Sequence, residues 1–402
     1  MRILHIVTDS SKCSGCTACC TVCPVNAISM ISDGEGFLIP TVSKKKCVDC
    51  GKCIKVCPAE ARIQTVNTLS DEIKAYAIKW ESPERTGSAS GGFFPAIAKY
   101  FIEEKEGFVC GCVLESLQPI HIVSNQWGDI LRMRDSKYVQ SDMRMCFKEI
   151  SQFLEQEKYV LFTGTSCQIA GLLSALADMK VNTERLLTID FFCHGVPSPK
   201  VWQDYLKFYE KEKNRKLVDY RFRSKKYGWG KAARGSSHLN SAQYLKGNLV
   251  KRDNVSYVSR MWRTIFFSNI CIRMYCHSCP YASLEKPADI TMGDFWGVHE
   301  LLPNFDDGKG SSIALLRNEK AKQFVDNISY LTKEEISVEQ AIKKQRNAFH
   351  PSEVHAQREE FWKDYEEKNF RDIAEKYFHY TFSYRVKSLV KRILFALHLR
   401  DI

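Results

Sequence analysis

The sequence predicts an α+β chain: a small cysteine-dense domain, then an α/β domain, then a helical C-terminal tail. Three observations carry that prediction. Nine of the 17 cysteines fall between Cys13 and Cys57. The middle of the chain alternates short apolar runs with helix-length amphipathic stretches, the pattern of an α/β sheet. After Cys279 there are no cysteines, and the remaining sequence reads mostly as helix. With 402 residues, 44% apolar and 26% charged, the chain is an ordinary globular protein of two to three domains at about 150 residues each. That composition excludes disordered, collagenous and low-complexity classes. The expected boundaries are 1–70 for the cysteine-dense domain, 71–160 and 161–335 for the two parts of the larger domain, and 336–402 for the tail.

No run of 18 apolar residues exists, so no membrane-spanning helix is expected. The opening stretch Met1–Val7 is too short for a signal-peptide core. Many thiols in a long chain without an export signal imply a reducing compartment and metal ligation, so a cytoplasmic protein is expected. The 58 basic residues against 47 acidic give +11. No nucleic-acid module or arginine comb accompanies that charge, and no nucleic-acid partner is expected. A basic surface suits anionic cofactors, acidic electron carriers or a lipid headgroup layer equally well.

The first domain is an internal duplication. Cys13-x2-Cys16-x2-Cys19-x3-Cys23-Pro24 is followed by Cys47-x2-Cys50-x2-Cys53-x3-Cys57-Pro58. Three closely spaced thiolates on one loop cap three irons of a cubane, and the fourth cysteine of each run reaches the other cluster. Cys13, Cys16, Cys19 and Cys57 are therefore expected to hold one [4Fe-4S] cluster, and Cys47, Cys50, Cys53 and Cys23 a second. Zinc sites rarely show two complete, evenly spaced four-cysteine runs with trailing proline. The segment resembles bacterial two-cluster ferredoxins, which carry single electrons. Cys20 is surplus and is read as a small packing residue.

In the middle, helix Phe93–Glu104 precedes strand Phe108–Leu114, and helix Cys146–Gln156 precedes strand Tyr159–Thr163. Helix Gln168–Leu176, strand Leu186–Phe192 and helix Lys200–Glu210 come next, and the basic stretch Lys211–Arg234 reads as an exposed insertion. A helix near Val258–Ser268 and strand Asp289–Met292 close the domain. Strand Ile313–Leu316 follows, then helices from Glu319, Val338, Phe361 and Tyr384. Cys167 and Cys193 lie at the carboxyl ends of two of these strands, where open α/β sheets place ligand sites. Cys276-x2-Cys279 supplies a pair, and four thiolates suffice for a third [4Fe-4S] cluster. Cys271-x4-Cys276-x2-Cys279 also matches plant-type [2Fe-2S] spacing, so the residues alone leave two ligand sets open. Cys110, Cys112 and Cys146 fall in strand or helix patterns and read as core.

Ser88-Ala89-Ser90-Gly91-Gly92 stands directly before a helix, and small residues there expose backbone amides to a pyrophosphate; a plain glycine-rich cap reads equally well. Lys137-Tyr138-Val139-Gln140-Ser141 packs a cation, a ring and two hydrogen-bonding side chains into five residues, which suits either a flavin lining or a loop of mixed polarity.

Together these segments resemble the coenzyme F-420 hydrogenase/dehydrogenase beta-subunit family. The matching residues are Ser90–Gly92, Ser136–Ser141, Gly164-Thr165-Ser166-Cys167-Gln168, Asp190–Ser198, and Cys276-x2-Cys279 followed by Asp289–Gly297. They run in the family's order from about residue 75 to 300. Ser166 departs from the family, which more usually has proline before the cysteine. The resemblance implies an α/β flavin and iron–sulfur domain after the ferredoxin-like one. It assigns Cys167, Cys193, Cys276 and Cys279 to a third [4Fe-4S] cluster and leaves Cys271 spare. It also implies FAD, held by Ser90, Gly91, Gly92, Lys137, Tyr138, Gln140, Ser141 and Thr165.

The expected function is an iron–sulfur flavoprotein oxidoreductase. It would pass electrons between a two-electron donor or substrate (coenzyme F-420 or another small molecule), FAD and the clusters, because a flavin handles both hydride and single electrons. The alternative is an electron-transfer subunit with no substrate of its own, feeding a partner enzyme. His194, beside Cys193, is read either as a proton relay or as a hydrogen bond that orients the turn. Finally, Arg385–Ile402 forms a cationic amphipathic stripe. It can dock on the protein's own core or a neighbouring subunit of an oligomer, or lie on an anionic membrane surface.

Overall fold

The structure, a computed structural model, describes residues 11–59, 73–223, 225, 229, 241–246, 249–253, 256–384, 386, 387 and 390. In the cysteine-dense part, two one-turn helices, α1 (Ala18–Thr21) and α2 (Lys52–Lys55), flank a hairpin of β1 (Ile28–Ser32) and β2 (Leu38–Val42). The hairpin turns at Asp33–Phe37, where Gly36 adopts φ +90° and the Asp33 carboxylate accepts from Phe37 N at 2.8 Å. Ala27 leads directly into β1.

Strand β3 (Lys74–Trp80) and helix α3 (Phe93–Glu103) open the larger part. The hairpin β4 (Phe108–Glu115)–β5 (Gln118–Ser124) is followed by α4 (Trp127–Met133) and α5 (Cys146–Glu155). Strand β6 (Val160–Thr163), helix α6 (Ser166–Met179) and strand β7 (Leu186–Phe191) form a parallel crossover that hands on to α7 (Pro199–Lys213). A separate antiparallel sheet of β8 (Leu217–Arg221), β9 (Ser241–Lys246) and β10 (Leu249–Asp253) precedes α8 (Tyr257–Phe267). Then come β11 (Ile290–Asp294), α9 (Val298–Leu301), β12 (Ser312–Leu316), α10 (Glu319–Asp326) and β13 (Leu331–Ile336). Helices α11 (Val338–Ile342), α12 (Arg358–Glu367) and α13 (Phe370–Tyr377) follow.

Among the described residues the large sheet has eight strands in the order β13-β3-β12-β11-β7-β6-β4-β5. Its centre, β11-β7-β6-β4, is parallel, and the flanking pairs are antiparallel. Alternation along the strands gives each face its own core. Leu161, Leu187 and Ile189 pack with α3 and α10, whereas Val160, Phe162 and Leu186 pack with α5 and α6. Cys16, Ala18, Val22 and Val56 belong to the second core, so the cysteine-dense part is seated on the α5/α6 face. The fold class is the one expected from the sequence.

One expectation fails. Among the described residues of Lys211–Arg234 the stretch is not an exposed insertion: its first residues finish α7, β8 pairs with β9, and Tyr220, Phe222, Arg223 and Trp229 are buried. Tyr220, Phe222 and Trp229 have a core to enter and Arg223 turns inward with them, whereas Lys211, Arg215 and Lys216 stay exposed. The terminal stripe Arg385–Ile402 lies for the most part outside the described residues. Among those described, no helix is long and apolar enough to cross a membrane.

Candidate functional site

The two cysteine loops share a backbone device. Gly15 and Thr17 in the first loop, and Asp49 and Gly51 in the second, are left-handed, two and four residues after the leading cysteine of each loop. Two such residues curl a loop back on itself, which aims three thiols inward. Cys13, Cys16 and Cys19 line one small cavity together with Cys57. Cys47, Cys50 and Cys53 line another with Cys23, a space of roughly 240 Å³. The fourth cysteine of each run thus reaches the other loop. Backbone amides point at the sulfurs, Gly15 N at Cys13 Sγ (3.4 Å) and Ala27 N at Cys23 Sγ (3.2 Å). Burial pushes the Cys16 thiol up, and Cys53 to about 11. Among the described residues no three such side chains close on one point as a single ion would require. A four-iron cluster instead offers each thiolate its own iron.

A second thiol group forms at the carboxyl ends of β6 and β7. Cys167 stands in the first turn of α6, Cys193 follows β7, and Cys276 and Cys279 come from a 3-10 turn (Met274–Ser278) and its end. Gly195, at φ +117°, admits that turn: a Cβ there would meet Cys276 Cβ at 3.1 Å and Ile272 Cγ2 at 2.8 Å. The four thiols feel one another. Cys193 is pushed up to about 12 by burial and then by Cys167 and Cys279, and Cys279 to about 11 by burial and then by Cys167. Cys276 is raised by burial and then by Cys193, Cys167 and Cys279. Cys271 stands apart, fully buried in the core of Tyr205, Trp262 and Phe361. Cys110 and Cys146 are buried as expected for core residues, and Cys112 is partly buried.

The two groups adjoin. A Cβ on Gly171, one turn along α6 from Cys167, would stand 2.7 Å from Cys16 Sγ. Buried Arg273 joins them: its Nε donates to Cys13 O (2.6 Å), while its own carbonyl accepts from Cys276 N (2.9 Å). The Tyr281 hydroxyl, held un-ionised first by burial, is influenced by Cys167, Cys16, Cys279 and Cys57 together.

A buried ionic network fixes the start of α6. Ser166 Oγ donates to Asp190 (2.5 Å), Thr291 Oγ1 donates to the other oxygen (2.5 Å), and Lys286 lies 3.0 Å from Ser166 Oγ and 3.6 Å from Asp190. Farther along the same sheet edge, beyond β3 and β11, Arg85, Arg223 and Lys225 gather round the Ser88–Gly92 turn. Lys225 donates to the carbonyls of Ser90, Arg85 and Lys309, and Arg223 pairs with Asp294 at 2.7 Å. Yet Arg85 Nη1, Arg223 Nε and Nη2, Ser88 Oγ and Ser311 Oγ are buried without a hydrogen-bond partner among the described residues. Burial and then Arg85 press the Lys225 ammonium down to about 7. Arg85 pairs with Asp307 and Arg223 with Asp294, so the recess is balanced in charge but holds donors without a partner among the described residues.

Residues 157–344 match the family model for the C terminus of the beta subunit of coenzyme F420 hydrogenase/dehydrogenase, and residues 12–61 match the 4Fe-4S dicluster domain. The chain thus carries a stretch similar to a 4Fe-4S dicluster domain ahead of a stretch similar to the C terminus of that beta subunit. No curated protein matches it. Among solved structures, a chain of the F420-reducing [NiFe] hydrogenase complex from Methanosarcina barkeri is similar at 17% identity and a TM-score of 0.44, over 75% of this chain and 91% of that one.

Within and ahead of the beta-subunit domain, most polar ends expected to face FAD are engaged by protein. Ser90 Oγ donates to Ser311 O (2.7 Å) and Gly91 N to Ser312 Oγ (2.9 Å). A Cβ on Gly91 would meet Ile78 O and Ser312 N at 2.5 Å, so its glycine serves close packing. Gly92, φ +79°, caps α3, and Pro95 in that first turn offers no N–H. The Lys137 ammonium caps α4, donating to the carbonyls of Arg132, Met133, Arg134 and Asp135 at 2.7–3.1 Å. Gln140 Oε1 accepts from Leu38 N (3.0 Å), Ser141 Oγ from Gln168 Nε2 (3.0 Å), and Thr165 caps α6. Tyr138 stacks on Phe266 at 4.3 Å, and Phe266 lies 4.9 Å from the His194 ring. His194 Nε2 shares a 2.7 Å hydrogen bond with Asn269, and burial holds its pKa below the usual value. Sequence reasoning gave no site role to Arg273, Asp190, Lys286, Arg85, Arg223 and Lys225. Of these only Asp190 carried a readable sign, as an acid inside the apolar run Leu186–Phe192 and at the head of the matching stretch Asp190–Ser198.

Proposed function

We propose that the chain is an iron–sulfur flavoprotein oxidoreductase with three [4Fe-4S] clusters in line. One is held by Cys167, Cys193, Cys276 and Cys279, an inner ferredoxin cluster by Cys13, Cys16, Cys19 and Cys57, and an outer one by Cys23, Cys47, Cys50 and Cys53. The observation that carries this reading is the contact of Cys16 with Gly171, one helical turn from Cys167. Thiol sets built on different parts of the chain, held that close, suit short-range electron transfer.

FAD, when bound, exchanges two electrons with a hydride carrier and single electrons with a cluster. The recess round Ser88–Gly92 fits its pyrophosphate, because the unpartnered nitrogens of Arg85 and Arg223 and the hydroxyls of Ser88 and Ser311 are donors awaiting an anion. The expected grip on that group thus moves from the Gly91 amide to these side chains. Tyr138, Phe266 and His194 line the way from the recess to Cys193. His194 acts there as the hydrogen bond that orients the turn, through Asn269. The two-electron partner is a hydride-exchanging small molecule, of which coenzyme F420 is the one the domain's name offers.

Iron analysis of anaerobically purified protein should return about 12 irons per chain, and Cys167→Ser should lose about four while sparing the ferredoxin pair. A wild-type value near eight would remove the third cluster. Arg85→Gln should lower flavin content at least tenfold; full flavin in that variant would place the pyrophosphate elsewhere.

A further inference from the structure

The three thiol groups differ in how they meet solvent. Cys167, Cys193, Cys276 and Cys279 are each partly buried, at the ends of β6 and β7 and in the Met274–Ser278 turn; in the inner group Cys13 and Cys16 are buried, Cys16 in the core it shares with α6, and Cys19 and Cys57 are partly buried. In the outer group Cys50 is exposed, and beside it Val48 is 60% exposed and Val25 38%. Cys50 is the exposed thiol among these groups, the others being partly or fully buried, so it is the point nearest solvent for an electron that enters or leaves by way of another protein.

The rim of that spot has a definite charge. Lys44, Lys45 and Lys46 are consecutive and exposed, just before Cys47, and Lys44 and Lys52 line the cavity of the outer thiols. Lys52 and Lys55 share the one carboxylate of Asp178, at 3.5 and 3.2 Å, so that pairing neutralises only part of their charge. Asp49 is the acid within the loop. Two exposed valines inside a lysine rim make a small apolar centre with a positive border. Interfaces between redox proteins are small and short-lived, and charge steers the encounter.

We propose that this face, Val25 and Val48 beside Cys50 with Lys44, Lys45 and Lys46 around them, is the docking surface for a small acidic one-electron carrier protein. One electron leaves the reduced outer cluster, which is oxidised, and the carrier is reduced by one electron; in the opposite direction the roles exchange. The proposal rests on the outer cluster assigned above to Cys23, Cys47, Cys50 and Cys53.

The test uses the full-length, iron-replete chain, reduced and then mixed by stopped flow with an oxidised acidic flavodoxin, whose absorbance is distinct from that of the clusters. A basic c-type cytochrome serves as the probe of opposite charge. Raising ionic strength from about 0.02 to about 0.5 M should slow the reaction with flavodoxin at least tenfold, because steering is screened. The reaction with the cytochrome should not slow. Reversing Lys44, Lys45 and Lys46 to Glu should lower the flavodoxin rate at least tenfold at low salt and flatten its salt dependence, with iron content unchanged. The milder change of all three to Gln should fall between. An iron-replete protein whose flavodoxin rate ignores both salt and charge reversal overturns the surface and leaves the clusters standing. A protein with no reducible iron overturns the reading beneath it.

Discussion

Arg273 donates through Nε to Cys13 O at 2.6 Å and through Nη1 to Leu38 O at 3.2 Å, and its carbonyl receives Cys276 N. Its side chain is almost wholly buried, and Nη2 has no partner among the described residues. A buried cation beside two cluster sites favours the reduced, more negative state of each. Arg273→Gln should therefore destabilise the protein by about 2–4 kcal/mol, since charged hydrogen bonds to buried carbonyls are lost. It should also shift the inner cluster's reduced-to-oxidised ratio at fixed potential at least tenfold toward oxidised, about 59 mV for one electron. EPR-monitored redox titration reads that shift, and Arg273→Lys, which keeps the charge, should recover most of it. Unchanged potentials in iron-replete Arg273→Gln would reduce Arg273 to a packing residue. The cysteines were legible because their spacing is local and ligand geometry fixes it. Arg273 was not, because its partner at Cys13 lies 260 residues away and no nearby residue marks it.

At the scale of elements, α6 carries the arrangement: its first turn holds Cys167 and its second turn receives Cys16. Gly171 makes that second contact by having no side chain. An added Cβ would lie 2.7 Å from Cys16 Sγ and 2.9 Å from its Cβ, closer than packed atoms tolerate. Gly171→Ala gains about 1 kcal/mol of helix propensity. Overpacking against the cysteine loop should outweigh it, for a net loss of about 1–2 kcal/mol. Chemical denaturation checks the loss, and electron transfer between third and inner clusters, followed after rapid reduction, should slow. A stabilised variant with unchanged transfer would show that the loop yields freely. The strands and helices round this contact were mostly readable, because β6 and β7 are apolar runs and α5 and α6 are amphipathic. Strands β3 and β5 were not expected. β3 earns its place by pairing with β12 and β13, more than 200 residues away, and β5 by a hairpin with β4. The β3 pairings leave no local pattern, and the β4–β5 hairpin turns on Ser116-Leu117 without the glycine or asparagine that usually marks such a turn. The stretch from Lys211 misled for a related reason: its lysines advertise solvent, whereas Arg223 and Lys225 are drawn inward beside Asp294 and the Ser90 carbonyl.

Across the whole molecule, the cysteine-dense part is held by its hairpin tip as well as by α6. Ser198 Oγ donates to Glu35 O, Lys200 Nζ to Gly34 O at 3.2 Å, and Gln140 Oε1 receives Leu38 N at 3.0 Å. Arg358, itself bonded to Ile270 O at 2.9 Å, pairs with the Glu35 carboxylate. Burial raises the Glu35 pKa above its ordinary 4.5, and Arg358 opposes that rise. The folded state thus holds this proton at pH values where the unfolded chain has released it. By linkage, Glu35's contribution to stability is most favourable at low pH and declines as pH rises from 4.5 through the raised value. In its charged form the carboxylate is partly buried, and Arg358 is what offsets that burial. Arg358→Gln should therefore loosen the hairpin most at neutral pH, by about 1–3 kcal/mol, a discounted figure because Glu35 is partly exposed. The loss should shrink as pH is lowered toward about 5, since protonated Glu35 no longer needs a cation. Hydrogen exchange reads this directly: the amides of Gly36, Phe37 and Leu38 should exchange faster in the variant at pH 7, with a smaller excess at pH 5 after correction for intrinsic rates, while those of α6 stay protected. Equal protection in variant and wild type, or an excess that does not change with pH, would mean that the hairpin is held by packing and its other hydrogen bonds, and that the Glu35–Arg358 pair adds nothing to the seating of the clusters.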